Sequence, residues 1–410
     1  MLPVDQAESI ILDLVHPLKD PQDIETVDLL AARERVLASP IVSQLDFPHW
    51  DNSAMDGYAV RHADLKGCTG DHPITLEIVE EIPAGSVPQH SLEPGQAARI
   101  FTGACLPPGA DTIIMQEDTQ RQGSRVTIFD CPPPQTFVRH QGSFYKAGDP
   151  ILTPGIRLDA AEIAVLAASQ CLEVPVFRRV KVAIFSTGDE LVTPDQPLEP
   201  GQLVDSNRYA LTALMLKLGV EPINLGIVRD HPQALKQTIS EAISQADVVL
   251  STGGVSVGDY DYVEQILTEL GGHIHIQSVA IKPGKPLTVA KFPRCLYFGL
   301  PGNPVSALVT CWRFIQPALK KLSGLKSEYY QPVFLQVRSQ SHLQSKGKRE
   351  TYLWGKLRVV NGEYEFELAS GTHNSANLVN LSQTTALAIV PINCTQIEVG
   401  DFVKVLPVNS

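Results

Sequence analysis

Five short segments in the second half of the chain gather residue types that bind anions and hard cations. They are Ser186-Thr187-Gly188-Asp189-Glu190, Arg229-Asp230, STGGVSVGDYD (251–261), Lys282-Pro283-Gly284-Lys285-Pro286 and LPGNPVS (300–306). Gly253-Gly254 and Gly302-Asn303 precede predicted helices, where free backbone N–H groups and the positive end of the helix dipole hold anionic groups. Lys282 and Lys285 add two charges on a proline-stiffened turn, which lowers the entropy cost of aiming them. Asp189, Glu190, Asp230, Asp259 and Asp261 are hard oxygen ligands, and acids at a phosphate site make most sense where Mg2+ mediates. An anhydride or phosphoryl substrate suits both signs. Taken singly, each loop also reads as an ordinary turn, and Asp189 as a helix cap. Their expected convergence on one sheet edge is what argues for a site.

The elements that must position these loops alternate along residues 178–323. Strand-like runs (VKVAIF, PINLGIV, ADVVLS, HIHIQSVAI, CLYFGL) take turns with helical stretches (NRYALTALMLKLG, HPQALKQTISEAISQ, DYVEQILTELGG, NPVSALVTCWRFIQPALKKLSG). That order predicts a mostly parallel sheet with helices on both faces, whose ligand lies outside the carboxyl ends of the strands. Lys320 and Lys321 read as a solvated helix C-terminus. No G-x-G-x-x-G follows a strand and no Walker motif occurs, so dinucleotide-dehydrogenase and P-loop readings lose their main support.

Upstream, residues 73–155 carry 19 Gly or Pro between short apolar runs, which predicts a β-rich domain over 46–141. AESIILDLVHPL and ETVDLLAARERVLA have helical spacing, as does RLDAAEIAVLAASQ. A helical linker domain built from 1–45 and 142–177 follows, then the α/β domain at 178–326 and an all-β tail at 327–410. A second polar cluster, PHWDNSAMDGYAV (48–60) with RIFTGA (99–104), reads equally as an Asx turn opening the β-rich domain or as part of a site.

The formal charge is −12, with 11 acids against 3 bases in the first 60 residues, so the footprint of a general nucleic-acid binder is missing. Seven scattered cysteines, never in C-x-x-C, suggest neither a disulfide framework nor a zinc site. The acidic N-terminus lacks the pattern of an export signal and no apolar run is long enough to span a membrane, which predicts a cytoplasmic protein with no membrane partner.

The sequence resembles the MoeA-like molybdopterin molybdenumtransferases, whose relatives include the gephyrin E domain. The motifs that carry the resemblance run in order: DNSAMDGYAV (51–60), RIFTGACLPPGAD (99–111), FSTGDEL (185–191), INLGIVRD (223–230), STGGVSVGDYD (251–261), AIKPGKP (280–286) and GLPGNPVSA (299–307). The resemblance implies a transferase of molybdenum cofactor biosynthesis. It would take adenylylated molybdopterin and molybdate, release AMP with Mg2+ present, and leave molybdenum on the dithiolene. It implies an α/β multidomain fold: a doubly wound, mostly parallel sheet domain, a β-rich domain, a helical linker domain and a small β-barrel-like C-terminal domain. It also implies a homodimer whose site is shared between subunits, with transient contacts to molybdopterin adenylyltransferase and to molybdoenzymes.

Carried over by motif, the catalytic positions are Asp56, Thr102, Glu190, Asp230 and Asp261, with Asp56 completing the site from the partner subunit. Glu190, Asp230 and Asp261 are the expected Mg2+ ligands. Substrate and molybdate are assigned to Ser186, Thr187, Gly188, Asp189, Gly253, Gly254, Ser256, Lys282, Lys285 and Pro286. Pro301, Gly302, Asn303, Pro304 and Ser306 join them from the last loop, and Arg349 and Ser375 from the tail. Three departures stand out. Gly142-Ser143-Phe144 replaces a Gly followed by two acids, Trp354 stands where relatives often carry a second Arg, and Ser278 replaces a Lys found in some. The nearest rival function, molybdopterin adenylyltransferase, resembles residues 178–323 alone. A non-catalytic molybdopterin scaffold or carrier would be expected to lose the charged site that this chain keeps.

Overall fold

The computed structural model describes residues 1–254 and 262–408. They form two compact units, one of Ser39–Thr153 with Ala164–Leu172, the other of Met1–Ala38, Pro154–Ile163 and Glu173 onward.

The first unit is built on six strands: β1 (Gly57–Val60), β2 (Ile74–Ile82), β3 (Gln96–Ile100), β4 (Thr112–Met115), β5 (Thr119–Gln122) and β6 (Arg125–Ile128). They lie in the order β4-β1-β3-β2-β6-β5, antiparallel except for β2 with β3. Successive side chains point to opposite faces. Tyr58, Val60, Ala97, Ile114 and Val126 therefore pack one side and Ala59, Ala98, Ile100 and Ile113 the other. Both faces are covered, which is why GYAV carries no polar alternation. The unit reaches back to residue 39 because Ile41–Val42 pairs with Pro150–Leu152 beyond the sheet.

Gly57 stands in this sheet for a steric reason: a Cβ there would lie 1.9 Å from the Ile114 carbonyl oxygen. Gly57→Ala must spread β1 from β4, and a loss of about 3 kcal/mol in urea unfolding is expected. An unchanged midpoint would show that the strands can separate at no cost.

In the second unit a six-stranded sheet is made of β7 (Lys181–Thr187), β8 (Glu221–Val228), β9 (Val248–Thr252), β10 (His273–Ser278), β12 (Pro286–Lys291) and β13 (Leu296–Leu300); β11 (Ile281–Lys282) stands apart from it. The order is β8-β7-β9-β13-β12-β10, the first four parallel and β12 antiparallel to both of its neighbours. Strand β12 falls where the sequence reading placed only the end of a polar loop. Leu235 and Ile239 of one helix (Pro232–Gln245) and Ile266 of another (Val263–Glu269) cover Phe185, Val249 and Tyr297 on one face. Leu211 and Met215 of the helix Asn207–Lys217 and Phe314 of the run Pro304–Leu322 cover Ile184, Leu250 and Phe298 on the other. The doubly wound expectation is met.

The tail supplies β14 (Leu335–Ser339), β15 (Glu350–Val360), β16 (Glu363–Leu368), β17 (Ala386–Val390) and β18 (Phe402–Pro407). The pairings β15-β16-β14-β18-β17-β15 return to their start, so five strands close a barrel without a free edge. Leu353 points into that barrel with Phe366 and Val405, whereas Tyr352 and Trp354 face outward into the core of the sheet domain. Strand β11 pairs in parallel with β15, Ile281 opposite Glu350 and Lys282 opposite Thr351. The KPGKP loop is thereby tied to the barrel.

Two expectations need correction. The first helix exists (Val4–Leu14), but ETVDLLAARERVLA forms no second one. Ile24–Asp28 is a strand paired antiparallel with Glu173–Phe177, followed by a single 3-10 turn, Leu29–Ala32, and a left-handed Glu34 with φ 64°. The β-branched Ile24, Thr26 and Val27 suit a strand, and a partner nearly 150 residues away outweighs the local helical spacing. The helical linker is therefore partly β. Lys320 is likewise no solvated terminus: burial and the charges of Arg157 and Lys217 depress its pKa. Lys321 donates to the Leu12 carbonyl at 2.8 Å.

Candidate functional site

The carboxyl ends of the four parallel strands carry the polar loops, and β12 brings its amino end to the same edge because it runs the other way. Thr187–Glu190 follows β7, Arg229-Asp230 follows β8, Gly253-Gly254 follows β9, Pro301–Asn303 follows β13, and Lys282–Pro286 leads into β12. All but the Arg229-Asp230 loop line a cavity of about 1080 Å3 whose opposite wall is the outer face of the barrel. A cavity of that size accommodates a large cofactor precursor.

Of the residues expected from sequence, Thr187, Glu190, Gly253, Gly254, Lys282, Lys285 and Pro286 line this cavity. Pro301, Gly302, Asn303, Pro304 and Ser306 line it from the start of the Pro304 helix, and Arg349 and Ser375 from the barrel side. Ser186 does not; it is fully buried, donates to Asp205 Oδ1 at 2.8 Å and accepts from Thr252 Oγ1 at 3.0 Å, so it supports the wall from behind. Gly188, Asp189 and Asp230 stand beside the cavity rather than in its wall. Ser256, Asp259 and Asp261 lie outside the described residues. Asp56 and Thr102 belong to the other compact unit.

The cationic wall is crowded. Burial lowers the Lys282 pKa, and the charges of Lys346 and Arg349 lower it further. Three cations thus face one space, and Arg349 is held there by donation to the Ile281 carbonyl at 3.2 Å. Because Lys282 binds its proton less tightly folded than unfolded, the fold is less stable below the ordinary lysine pKa of about 10.4 than it would be without this crowding. A bound oxyanion relieves that cost.

The acids form the other half. Burial raises the Asp230 pKa and the nearby Asp189 and Glu190 carboxylates raise it further, against the Thr187 hydroxyl and the Asp189 backbone. A divalent cation would offset what keeps the proton on Asp230, and carboxylate oxygens are the ligands that Mg2+ takes. Among the described residues no group of three or more His, Cys, Asp or Glu side chains closes a metal site.

Asp205 and Asn207 line the wall without having carried any sequence signal. Asp205 is 2% exposed and is paired with Arg208 at 2.8 Å, whose guanidinium also donates to Asn224 Oδ1. Asn207 donates to the Gly302 carbonyl at 2.8 Å, holding the LPGNP loop, and its buried Oδ1 has no partner within the protein. Trp354, 2% exposed, packs on His373 with ring centroids 4.4 Å apart and donates to Asn380 Oδ1. The charge that a second Arg would bring at 354 is absent, and Lys346 supplies one beside Lys282 instead. A lysine-rich turn, SKGKRE (345–350), was the only hint of it.

In the other unit, the Thr102 N–H and hydroxyl both donate to Asp56 Oδ1 at 2.7 Å. These bonds hold the Asp56 pKa below the usual carboxylate value, with Arg99 assisting. Arg99 in turn donates to the Gly57 carbonyl at 2.9 Å and stacks over Tyr58 and Phe101. Part of the polar cluster is turn structure: Ser53 Oγ donates to the Met55 carbonyl and Asp51 accepts from Gln141 N–H at 2.7 Å. Phe144 is 63% exposed and leans on Phe47, 5.8 Å between ring centroids.

Comparison with known proteins matches three regions in order. Residues 2–169 match the MoeA N-terminal region (domain I and II), 183–321 a probable molybdopterin binding domain, and 336–408 the MoeA C-terminal region (domain IV). A Nostoc protein named molybdopterin molybdenumtransferase is 58% identical over 406 residues, spanning 98% of this chain and 93% of the relative. The chain belongs to the MoeA family. A Haemophilus influenzae family member of the same name is 34% identical, spanning 100% of this chain and 99% of its own. The solved MoeA protein of Pyrococcus horikoshii superposes with a TM-score of 0.84 at 28% identity, covering 99% of this chain and 100% of that one. The family reading from the motifs is thus shown, and with it the multidomain α/β architecture. No helix among the described residues is long and apolar enough to cross a membrane.

Proposed function

We propose that this chain is a molybdopterin molybdenumtransferase that inserts molybdate into adenylylated molybdopterin and releases AMP, giving molybdenum-loaded molybdopterin. The observation that carries the reading is one cavity with cations on one wall and carboxylates at its edge. Lys282, Lys285, Lys346 and Arg349 supply the charge that an oxyanion and a pyrophosphate need. Ser306 and the N–H groups at the start of the Pro304 helix add neutral donors. Glu190 and Asp230, with Asp261, would hold Mg2+, which when bound offsets the charge building on the anhydride oxygens. The orphaned Asn207 Oδ1 is an acceptor for a substrate donor group, and leaving it unpaired without substrate is costly.

The same proposal includes a homodimer in which Asp56 and Thr102 serve the partner's cavity. What supports it is that Asp56 is a half-buried carboxylate whose pKa is lowered and whose Oδ1 is aimed by Thr102, in the compact unit that does not carry the cavity. Light scattering at twice the chain mass is the expected result.

The deciding experiment mixes the purified protein with adenylylated molybdopterin, Mg2+ and molybdate, and follows AMP release and protein-associated molybdenum beside a Glu190→Gln control. Molybdate-dependent AMP release, lost by at least about 100-fold in the control, is expected. Tight substrate binding without AMP release would mark a carrier instead, with Phe144 in an acidic position the first residue to revert.

A further inference from the structure

The second unit carries another depression, of about 40 Å3, that shares no wall residue with the cavity above. Its floor is apolar, made by Val36, Phe177 and Leu319, and its rim holds Arg157, Arg179 and Lys320. Two further guanidiniums in the wall are neutralised: Arg35 pairs with Glu25, and Arg178 with Asp23 at 3.0 Å and Asp247 at 2.7 Å. The one carboxylate among the described wall residues, Glu34, pairs with Arg33 at 2.8 Å. Lys320 and Arg157 face each other closely enough that the guanidinium, after burial, is the main influence against the charged amine.

Helix ends account for part of this positive charge. Lys217 ends one helix and Lys320 lies in the last turn of another, and helix C-termini attract positive charge. Arg179 also donates to the Gly219 carbonyl at 2.7 Å, just beyond the first of these ends. Each terminus is worth roughly half a negative charge, so the two together offset about one. Arg157, Arg179 and Lys320 bring three, and about two positive charges remain. The volume is that of roughly three water-sized spheres, enough for a phosphate group and too small for a nucleoside.

We infer that this depression is a second oxyanion site, formed by Arg157, Arg179 and Lys320 over an apolar floor, that takes one phosphate-sized dianion. Free phosphate and the phosphate of a small monoester share the chemistry, the monoester leaving its organic part in solvent.

The full chain is titrated at low ionic strength with inorganic phosphate and with glycerol 3-phosphate, sodium chloride matching ionic strength, by calorimetry and thermal unfolding. Lys320→Gln and Arg157→Gln are each expected to weaken binding at this site at least tenfold, while Lys285→Ala in the main cavity leaves it intact. Without phosphate, Lys320→Gln should melt higher than wild type, because repulsion is relieved. Equal binding of both ligands assigns a monoester, and binding of phosphate alone assigns the free ion. Unchanged binding in both glutamine variants, its loss in Lys285→Ala, or a lower phosphate-free melting temperature for Lys320→Gln would overturn the site and leave the cations as caps of helix ends.

Discussion

Arg349→Ala is expected to lower molybdate-dependent AMP release by about 100- to 1000-fold, the range seen when one donor to a developing oxyanion is removed. Arg349 stands at the mouth of β15, and the pairing of β11 with β15 sets its neighbour Lys282 beside it. Guanidinium and ammonium therefore face one cavity, one from the start of β15 and the other from β11. A planar fork binds two oxyanion oxygens at once, which a lysine cannot reproduce. Arg349→Lys should accordingly recover only part of the loss. Removing the guanidinium also removes a like charge from Lys282, whose pKa should rise towards the ordinary lysine value. Molybdate titrations at fixed substrate check the first effect, and a shift of the alkaline limb of the pH profile checks the second. Wild-type molybdate dependence in Arg349→Ala would place the oxyanion elsewhere.

Arg313→Met carries the largest expected cost to stability, about 3–5 kcal/mol, the range for breaking a buried ion pair from one side. The residue is 4% exposed, and its guanidinium ties its own helical run to two other elements. It donates to Glu8 of the first helix at 2.7 Å and to the Tyr352 hydroxyl of β15 at 2.9 Å, and that hydroxyl donates to Glu350 at 2.6 Å. Burial pushes the Tyr352 phenol well up, so it stays a neutral donor throughout the physiological range. Methionine fills the space and leaves Glu8 without its cation. Adding Glu8→Gln to Arg313→Met should restore a measurable part of the loss, since the uncompensated charge is then gone. Denaturant unfolding of the four variants of that cycle is the measurement. Additive losses would mean that the two side chains act independently. Because Tyr352 follows Arg349 by three residues in the cavity wall, the single variant should also weaken molybdate binding, although Arg313 touches no ligand.

Sequence alone determined what is local. The runs VKVAIF, ADVVLS and CLYFGL are strands because each is a short apolar run holding at least two β-branched or aromatic residues, and the polar loops follow them because ligand groups sit where strands end. The glycine, lysine and acid loops therefore announced their chemistry, and their motifs announced the family. Pairing and packing were decided by tertiary structure. Ile24–Asp28 is a strand only because Glu173–Phe177 lies beside it, and Pro286–Lys291 was hidden because its sheet partners, not its spacing, make it a strand. Asp205 and Lys346 enter the site from segments whose sequences carry no ligand pattern; Ser186 and Arg208 hold the first, and the β11–β15 pairing brings the turn with the second beside Lys282. Periodicity reports which face a residue is on, over a few residues, at no cost in chain entropy. Which faces meet depends on burial summed over hundreds of residues, and no short window contains that sum.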